Sequence, residues 1–274
     1  MKKSIPDLQG MKRAGEKSVC FVAWDYQMAR IADRAGADIV SVGDTVGANL
    51  WGHSNPLEIT FDELLTVAKA VRRGVHDALL SCDFPYGPLQ SGRAVDAAIR
   101  LVKEAGVDLV KLDGAADFPE EVEALTRAGI PVFAQFGITP QTSLKYGVEY
   151  SAAHTAQVPD RMTEEFVDQA KRLESAGAVL LNFTNSGPVV GPAVVQAVSI
   201  PVLGGFGGGP WLDGRIRMAT AALGYNEKWL DDEPDTYANM SRVAYEGLAT
   251  CARDIRAGRQ IRGGIKTPGA QNRI

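Results

Sequence analysis

Residues 104–114 read "EAGVDLVKLDG": a helix end broken at Gly106, a short strand apolar on both faces, and a lysine and an aspartate where the strand runs out. Side chains alternate across a strand, so Lys111 and Asp113, two residues apart, point the same way. Three other segments share this build. Residues 34–44 read "RAGADIVSVGD", residues 79–87 "LLSCDFPYG" and residues 175–187 "SAGAVLLNFTNSG". A strand apolar on both faces is buried on both, which marks a parallel sheet covered by helices.

The alternation extends in both directions. "SVCFVAWD" reads as a first strand, followed by a helix through "YQMARIADRAG". Thr60 and Glu63 form a capping box opening a helix at "TFDELLTVAKAVRRG". "AVDAAIRLVKEAG" is a helix with Val95, Ala98, Ile99 and Val102 on one face. Asp117 is expected to cap "FPEEVEALTRAG", with Pro119 in its first turn. "IPVFAQFG" is a fifth strand, "MTEEFVDQAKRLESAG" a helix, "VVQAVS" a short helix and "IPVLGGFGGG" a seventh strand with its loop. An eighth strand is expected within "IRMATAALG". Seven strand–helix units in a chain of this size favour a closed (β/α)8 TIM barrel over an open sheet. No linker divides the chain, so residues 1–274 read as a single barrel domain with C-terminal helices.

Composition narrows the function classes. A net charge of −4 over 274 residues argues against nucleic acid as a partner, which needs a basic face. No apolar run is long enough to span a membrane, and "MKKSIPDLQGMKRAGEKS" has no apolar signal-peptide core. Cys20, Cys82 and Cys251 have no metal-like spacing and are odd in number, so a reducing cytoplasm is the expected compartment.

Barrel enzymes carry their reactive groups at the C-terminal ends of the strands. Here those ends offer Asp25, Asp44 with Thr45, Asp83, Lys111 with Asp113, Gln135, Thr184, and the glycines between Gly204 and Gly209. Asp44 and Asp83 fall on neighbouring strands, and two converging carboxylates need a proton or a cation between them. Mg2+ suits such a pair, because it takes few protein ligands and keeps positions open for substrate oxygens. Each residue also has a plainer role available. A strand-end aspartate can simply cap the next helix, Lys111 can be an ion-pair partner, and the glycines can serve tight turns. His76 reads as a helix-end surface residue, whereas His53 and His154 lie in the two longest loops.

Taken in order, "IPDLQGMKRAGEK", "FVAWDYQMARIADRAGADIVSVGDTVGANLWGH", "CDFPYG", "VKLDG", "GITPQ" and "AVSIPVLGGFGGGPWLDG" resemble the ketopantoate hydroxymethyltransferase family nearly end to end, with a short insertion at "YSAAHTAQVPDR". The resemblance implies a (β/α)8 barrel related to the phosphoenolpyruvate mutase and isocitrate lyase group. It implies Mg2+, a small-molecule 2-oxo acid such as 3-methyl-2-oxobutanoate, and 5,10-methylenetetrahydrofolate as one-carbon co-substrate. It also implies a large homo-oligomer of decamer type. Carried onto this chain, Asp44 and Asp83 would bind the metal, while Asp44, Thr45 and Lys111 would hold the substrate carboxylate. Asp113 stands where the family has a glutamate near the metal's water shell.

Two positions depart from the pattern. Gln135 replaces a histidine, and Thr184 falls where the family places its glutamate base. A hydroxyl is too weak to remove a proton from the carbon beside the ketone. Three readings stay open. The base has moved, to Asp113, Asp25, Tyr26 or His154; the reaction has become cleavage or decarboxylation of a 2-oxo acid; or the chain binds metal and metabolite without turnover. The loops "WGHSNP" and "YSAAHTAQVPD" are expected to close over the mouth.

Overall fold

The computed structural model describes residues 2–149, 152 and 155–263. Eight parallel strands close on themselves in chain order. They are β1 (Ser18–Val22), β2 (Ile39–Val42), β3 (Leu79–Asp83), β4 (Leu109–Leu112), β5 (Val132–Gly137), β6 (Leu180–Thr184), β7 (Val202–Gly204) and β8 (Gly214–Met218). The ring shuts where β1 pairs with β8, Ser18 opposite Gly214 through Val22 opposite Met218. The closed barrel expected from the repeated strand build is the observed fold.

Each strand contributes one residue to the lower core: Cys20, Ile39, Leu79, Leu109, Phe133, Leu180, Leu203 and Ile216. Leu8, fully buried, joins this cluster. It comes from α1 (Ile5–Ala14), a helix the sequence reading left as charged N-terminal chain. The start of α1 is fixed by a capping box between Ser4 and Asp7. Lys12 then ties it down, donating to the Val195 and Ile200 carbonyls and pairing with Asp213 at 2.9 Å. Only Leu8 of this helix is buried, so its amphipathic signal in sequence is faint.

Six helices follow α1 within the barrel: α2 (Tyr26–Arg34), α3 (Phe61–Gly74), α4 (Ala94–Ala105), α5 (Pro119–Arg127), α6 (Thr163–Ser175) and α7 (Val190–Ala197). The capping box of Thr60 and Glu63 opens α3 as expected. On α4 the expected face is corrected: Ala94, Ala97, Ala98, Leu101 and Ala105 are buried, while Ile99 and Val102 are exposed. The buried face is built mostly of alanines, whose small side chains suit close packing, and Ile99 and Val102 fall outside it. Asp117 does not cap α5. It closes a short 3-10 turn (Ala115–Asp117) and pairs with Lys145 at 2.5 Å, leaving Phe118 at the cap position.

Between β7 and β8 the chain makes no helix; β8 starts two residues before the expected segment and is followed at once by α8 (Ala219–Leu223). The connecting loop is held by Trp211, whose indole N–H donates to Ser186 Oγ at 3.1 Å. Asp213 holds it too, accepting from the Val202 N–H at 2.9 Å.

The chain divides into two compact units, Met1–Ala219 and Thr220–Ile274. The first holds the whole barrel. In the second, α9 (Met240–Arg256) is capped by Asn239, and Ser241 Oγ accepts the Asn226 N–H at 2.8 Å.

Candidate active site

Two residues above the lower core, period-two alternation puts Ser41, Ser81, Lys111, Gln135 and Asn182 toward the barrel axis. All five are buried, so the apolar core gives way here to a polar layer. Ser81 and Ser41 hydroxyls bond to each other at 2.6 Å. The sequence reading passed over this pair, although it sits two residues before Asp83 and Gly43 on the same inward face.

Lys111 organises one side of the layer. Its ammonium donates to Asp83 Oδ2 at 2.7 Å and to Gln135 Oε1 at 2.5 Å. Asp83 Oδ2 also accepts the backbone N–H of Asp44 at 3.2 Å, which ties the end of β2 to the end of β3. Gly43 is packed closely beside this contact: a Cβ there would stand 3.0 Å from Thr45 Oγ1 and 3.2 Å from Val22. Asp44, Asp83, Lys111 and Gln135 thus converge, as their strand-end positions suggested. Thr45 lies beside them, half-buried.

Asp113 is buried at the end of β4. Its carboxylate accepts the Gln141 N–H at 3.3 Å and a hydrogen bond from the Thr139 side chain. Both partners come from "GITPQ" (residues 137–141), so the segment after β5 positions the carboxylate that ends β4.

Burial sets the electrostatics. Asp113 is pushed up to about 6 by loss of water, against the pull of Thr139, Lys111 and the Gln141 N–H. Burial, reinforced by the charge of Asp83, lifts Asp44 well above the usual carboxylate range. Asp83 is raised by burial, with Lys111 opposing. Burial works against the Lys111 charge, but Asp83 and Asp44 outweigh it, so the lysine pKa rises and the ammonium is retained. Three buried carboxyls therefore share one buried cation.

Two carboxylate oxygens, Asp83 Oδ1 and Asp113 Oδ1, are buried without a hydrogen-bond partner. Among the described residues no cluster of three or more His, Cys, Asp or Glu side chains forms a ready-made metal cage. A hard divalent ion that keeps most of its waters needs no such cage. Surplus negative charge, an all-oxygen donor set and two orphaned oxygens fit an ion of that type.

The other candidates are placed as follows. Asp25 caps α2, accepting the Met28 N–H at 2.8 Å, and Tyr26 is exposed on that helix. His53 reaches toward Glu63, 3.9 Å away, and the structure does not bring it to the aspartates. His154 and part of "YSAAHTAQVPD" lie outside the described residues. Thr184 is buried at the end of β6, and Asn185 follows it in the left-handed conformation at φ 59°. A parallel eight-stranded barrel with a lysine and three carboxyls buried together at its C-terminal mouth has the architecture of a barrel enzyme.

A family profile described as ketopantoate hydroxymethyltransferase matches residues 2–260. The chain is 37% identical to a 3-methyl-2-oxobutanoate hydroxymethyltransferase of Cyanothece sp., covering 92% of this chain and 95% of the relative. It is 36% identical to one of the same name from Gloeobacter violaceus, over 93% and 96%. This chain belongs to the ketopantoate hydroxymethyltransferase family. Solved structures similar in fold include a 2,3-dimethylmalate lyase of the PEP mutase/isocitrate lyase superfamily (TM-score 0.60, 16% identity, 98% of this chain and 93% of that one). A phosphonopyruvate hydrolase in complex with oxalate and Mg++ is another (TM-score 0.59, 15% identity, 98% and 93%).

Proposed function

We propose that the chain is a hydroxymethyltransferase-like enzyme that enolises a 2-oxo acid, 3-methyl-2-oxobutanoate or a relative, and transfers a one-carbon unit to it. The observation that carries this reading is the buried Lys111–Asp83 pair with Asp44 and Asp113 around it. Asp44 and Asp83 would hold Mg2+, directly or through water, with Asp113 supporting its water shell. When bound, the ion supplies Lewis-acid polarisation of the substrate ketone. Lys111 and Thr45 hold the substrate carboxylate, and the retained charge of Lys111 offsets the negative charge that develops on the oxygen of the enolate. Methylenetetrahydrofolate, as in the family, is the proposed one-carbon donor.

The proton on the carbon beside the ketone needs an acceptor, and Thr184 cannot serve. Of the other candidates within the described residues, Asp25 is committed to its helix cap and Tyr26 faces outward. Asp113 remains. Its Oδ1 has no partner, and its raised pKa lets it accept a proton near neutral pH and return it. Thr184 itself favours a second reading, cleavage of a bond in a 2-oxo acid, which needs no proton taken from that carbon.

On α9, Ala244, Leu248, Cys251 and Ile255 recur at helical spacing and are all exposed. This apolar stripe supports self-association of the chain. Unpaired cysteines, two of them buried, suit a reducing cytoplasm.

Proton NMR of 3-methyl-2-oxobutanoate with Mg2+ in D2O tests the main reading. Exchange of the hydrogen beside the ketone is expected, abolished by Asp113→Asn while substrate binding is kept. Binding without exchange would shift the assignment to cleavage.

A further inference from the structure

The charged groups occupy β2 to β4, and the next two strands carry none. On β5 and β6 the register sets Gln135 opposite Asn182 and Gly137 opposite Thr184. Gly137 is at φ 103°, and a Cβ there would strike the Thr184 carbonyl, so nothing bulkier stands beside Thr184. Gln135 spends its carbonyl oxygen on Lys111, so what its amide offers another group is its N–H donors. Asn182 is 5% exposed, and its Oδ1 is buried with no hydrogen-bond partner. An orphaned carbonyl inside a barrel is costly where leucine or valine would pack without penalty. It is tolerable where the missing partner arrives with the ligand.

We propose that Asn182 and Gln135, with the Thr184 hydroxyl beside them, form a neutral recognition wall for a 2-oxo acid whose side chain carries a hydroxyl. This inference rests on the 2-oxo acid reading above. A hydroxyl satisfies both amides at once, donating to Asn182 Oδ1 and accepting from Gln135 Nε2. A second carboxylate is disfavoured, because Lys111 is taken up with the first and neither β5 nor β6 carries a cation to meet another. A purely apolar side chain leaves Asn182 unpaired. The absence of charge at the β6 end is then a specificity element as well as the loss of a base.

Two oxamates serve as probes, since they imitate a 2-oxo acid yet can neither enolise nor cleave. N-(2-hydroxyethyl)oxamate and N-propyloxamate differ by a hydroxyl in place of a methyl. Isothermal titration of the full chain with Mg2+ should show the hydroxyl compound binding about tenfold tighter or more. In Asn182→Leu, similar in size, the ratio should fall to about one or invert. Gln135→Met should move it the same way, and thermal unfolding checks that both variants fold. If Asn182→Leu does not fold, Gln135→Met and Asn182→Ala carry the comparison. Equal affinities in the wild type, or a preference for the propyl compound, would overturn the wall. Failure of both oxamates and of 3-methyl-2-oxobutanoate to bind would overturn the 2-oxo acid reading itself. Binding of 3-methyl-2-oxobutanoate with no preference between the oxamates would leave that reading standing and remove only this one.

Discussion

Replacing Lys111 by methionine keeps an unbranched side chain, one atom shorter, and removes the buried cation among three carboxyls. Asp83 Oδ2 loses its 2.7 Å partner and retains only the Asp44 N–H at 3.2 Å. Asp83 Oδ1 has no partner to begin with. Breaking a buried pair from one side costs about 3–5 kcal/mol, because the surviving charge stays out of water. For a chain of this length 1 kcal/mol moves Tm by about 2–4 °C, so the variant should melt about 6–20 °C below the wild type.

The loss should depend on pH in one direction. Without Lys111 the pKa of Asp83, already raised, climbs further, and that of Asp44 with it. A carboxyl with a raised folded pKa holds a proton where the unfolded chain has released it. Stability therefore falls as pH rises from about 4 through the folded value. The Tm deficit of Lys111→Met, measured by calorimetry in EDTA, should be smaller near pH 5 than near pH 8. Adding Mg2+ at the higher pH should recover part of it, since a cation between the carboxylates replaces the missing charge. A deficit under about 3 °C would refute the reasoning, and so would one that grows as pH falls.

Three further outcomes follow from the same structure. Because burial pushes Asp113 up to about 6, it contributes to a loss of wild-type stability between about pH 4 and pH 6. Asp113→Asn should flatten that part of the Tm–pH curve measured in EDTA. Leu8→Ala empties the plug of the lower core and should cost about 2–5 kcal/mol in urea unfolding, with the mouth unaffected as judged by oxamate affinity. Leu248→Glu puts a charge in the α9 stripe at a position 72% exposed. Light scattering after size exclusion should show a smaller assembly with an unchanged melting curve for the barrel.

Strands β2 to β6 announce themselves because each is buried on both faces and each follows a glycine-ended helix. Strand β8 does not, because its burial alternates: Arg215 and Arg217 face water while Gly214 and Ile216 face in. Its half-solvated pattern lacks the apolar run that marked the others, and the reading slid toward "ATAAL", which is helix. Charge masked α1 for a related reason, since one buried leucine among a lysine, an arginine and an aspartate makes no visible stripe.

At the mouth, alternation was enough to place Lys111 and Asp113 on one side. It could not separate Asp44 from Asp25, both aspartates at strand ends. The difference lies in what comes next. Asp25 stands immediately before α2, so its carboxylate turns to the helix's free N–H groups. A π-helical turn (Gly47–Trp51) starts three residues after Asp44, but no side chain caps it, and the Asp44 backbone N–H donates to Asp83 instead. A helix start close behind a strand end is therefore not enough to make an aspartate a cap. Asp117, two residues before α5, does not cap either, because Lys145 competes for the carboxylate. That contact crosses 28 residues of chain, and local spacing carries no trace of it. Thr184 and Asn182 are the converse case. Their neutrality is plain in the sequence, but its consequence, an unpartnered amide facing Gln135 across the β5–β6 register, exists only once the barrel has closed.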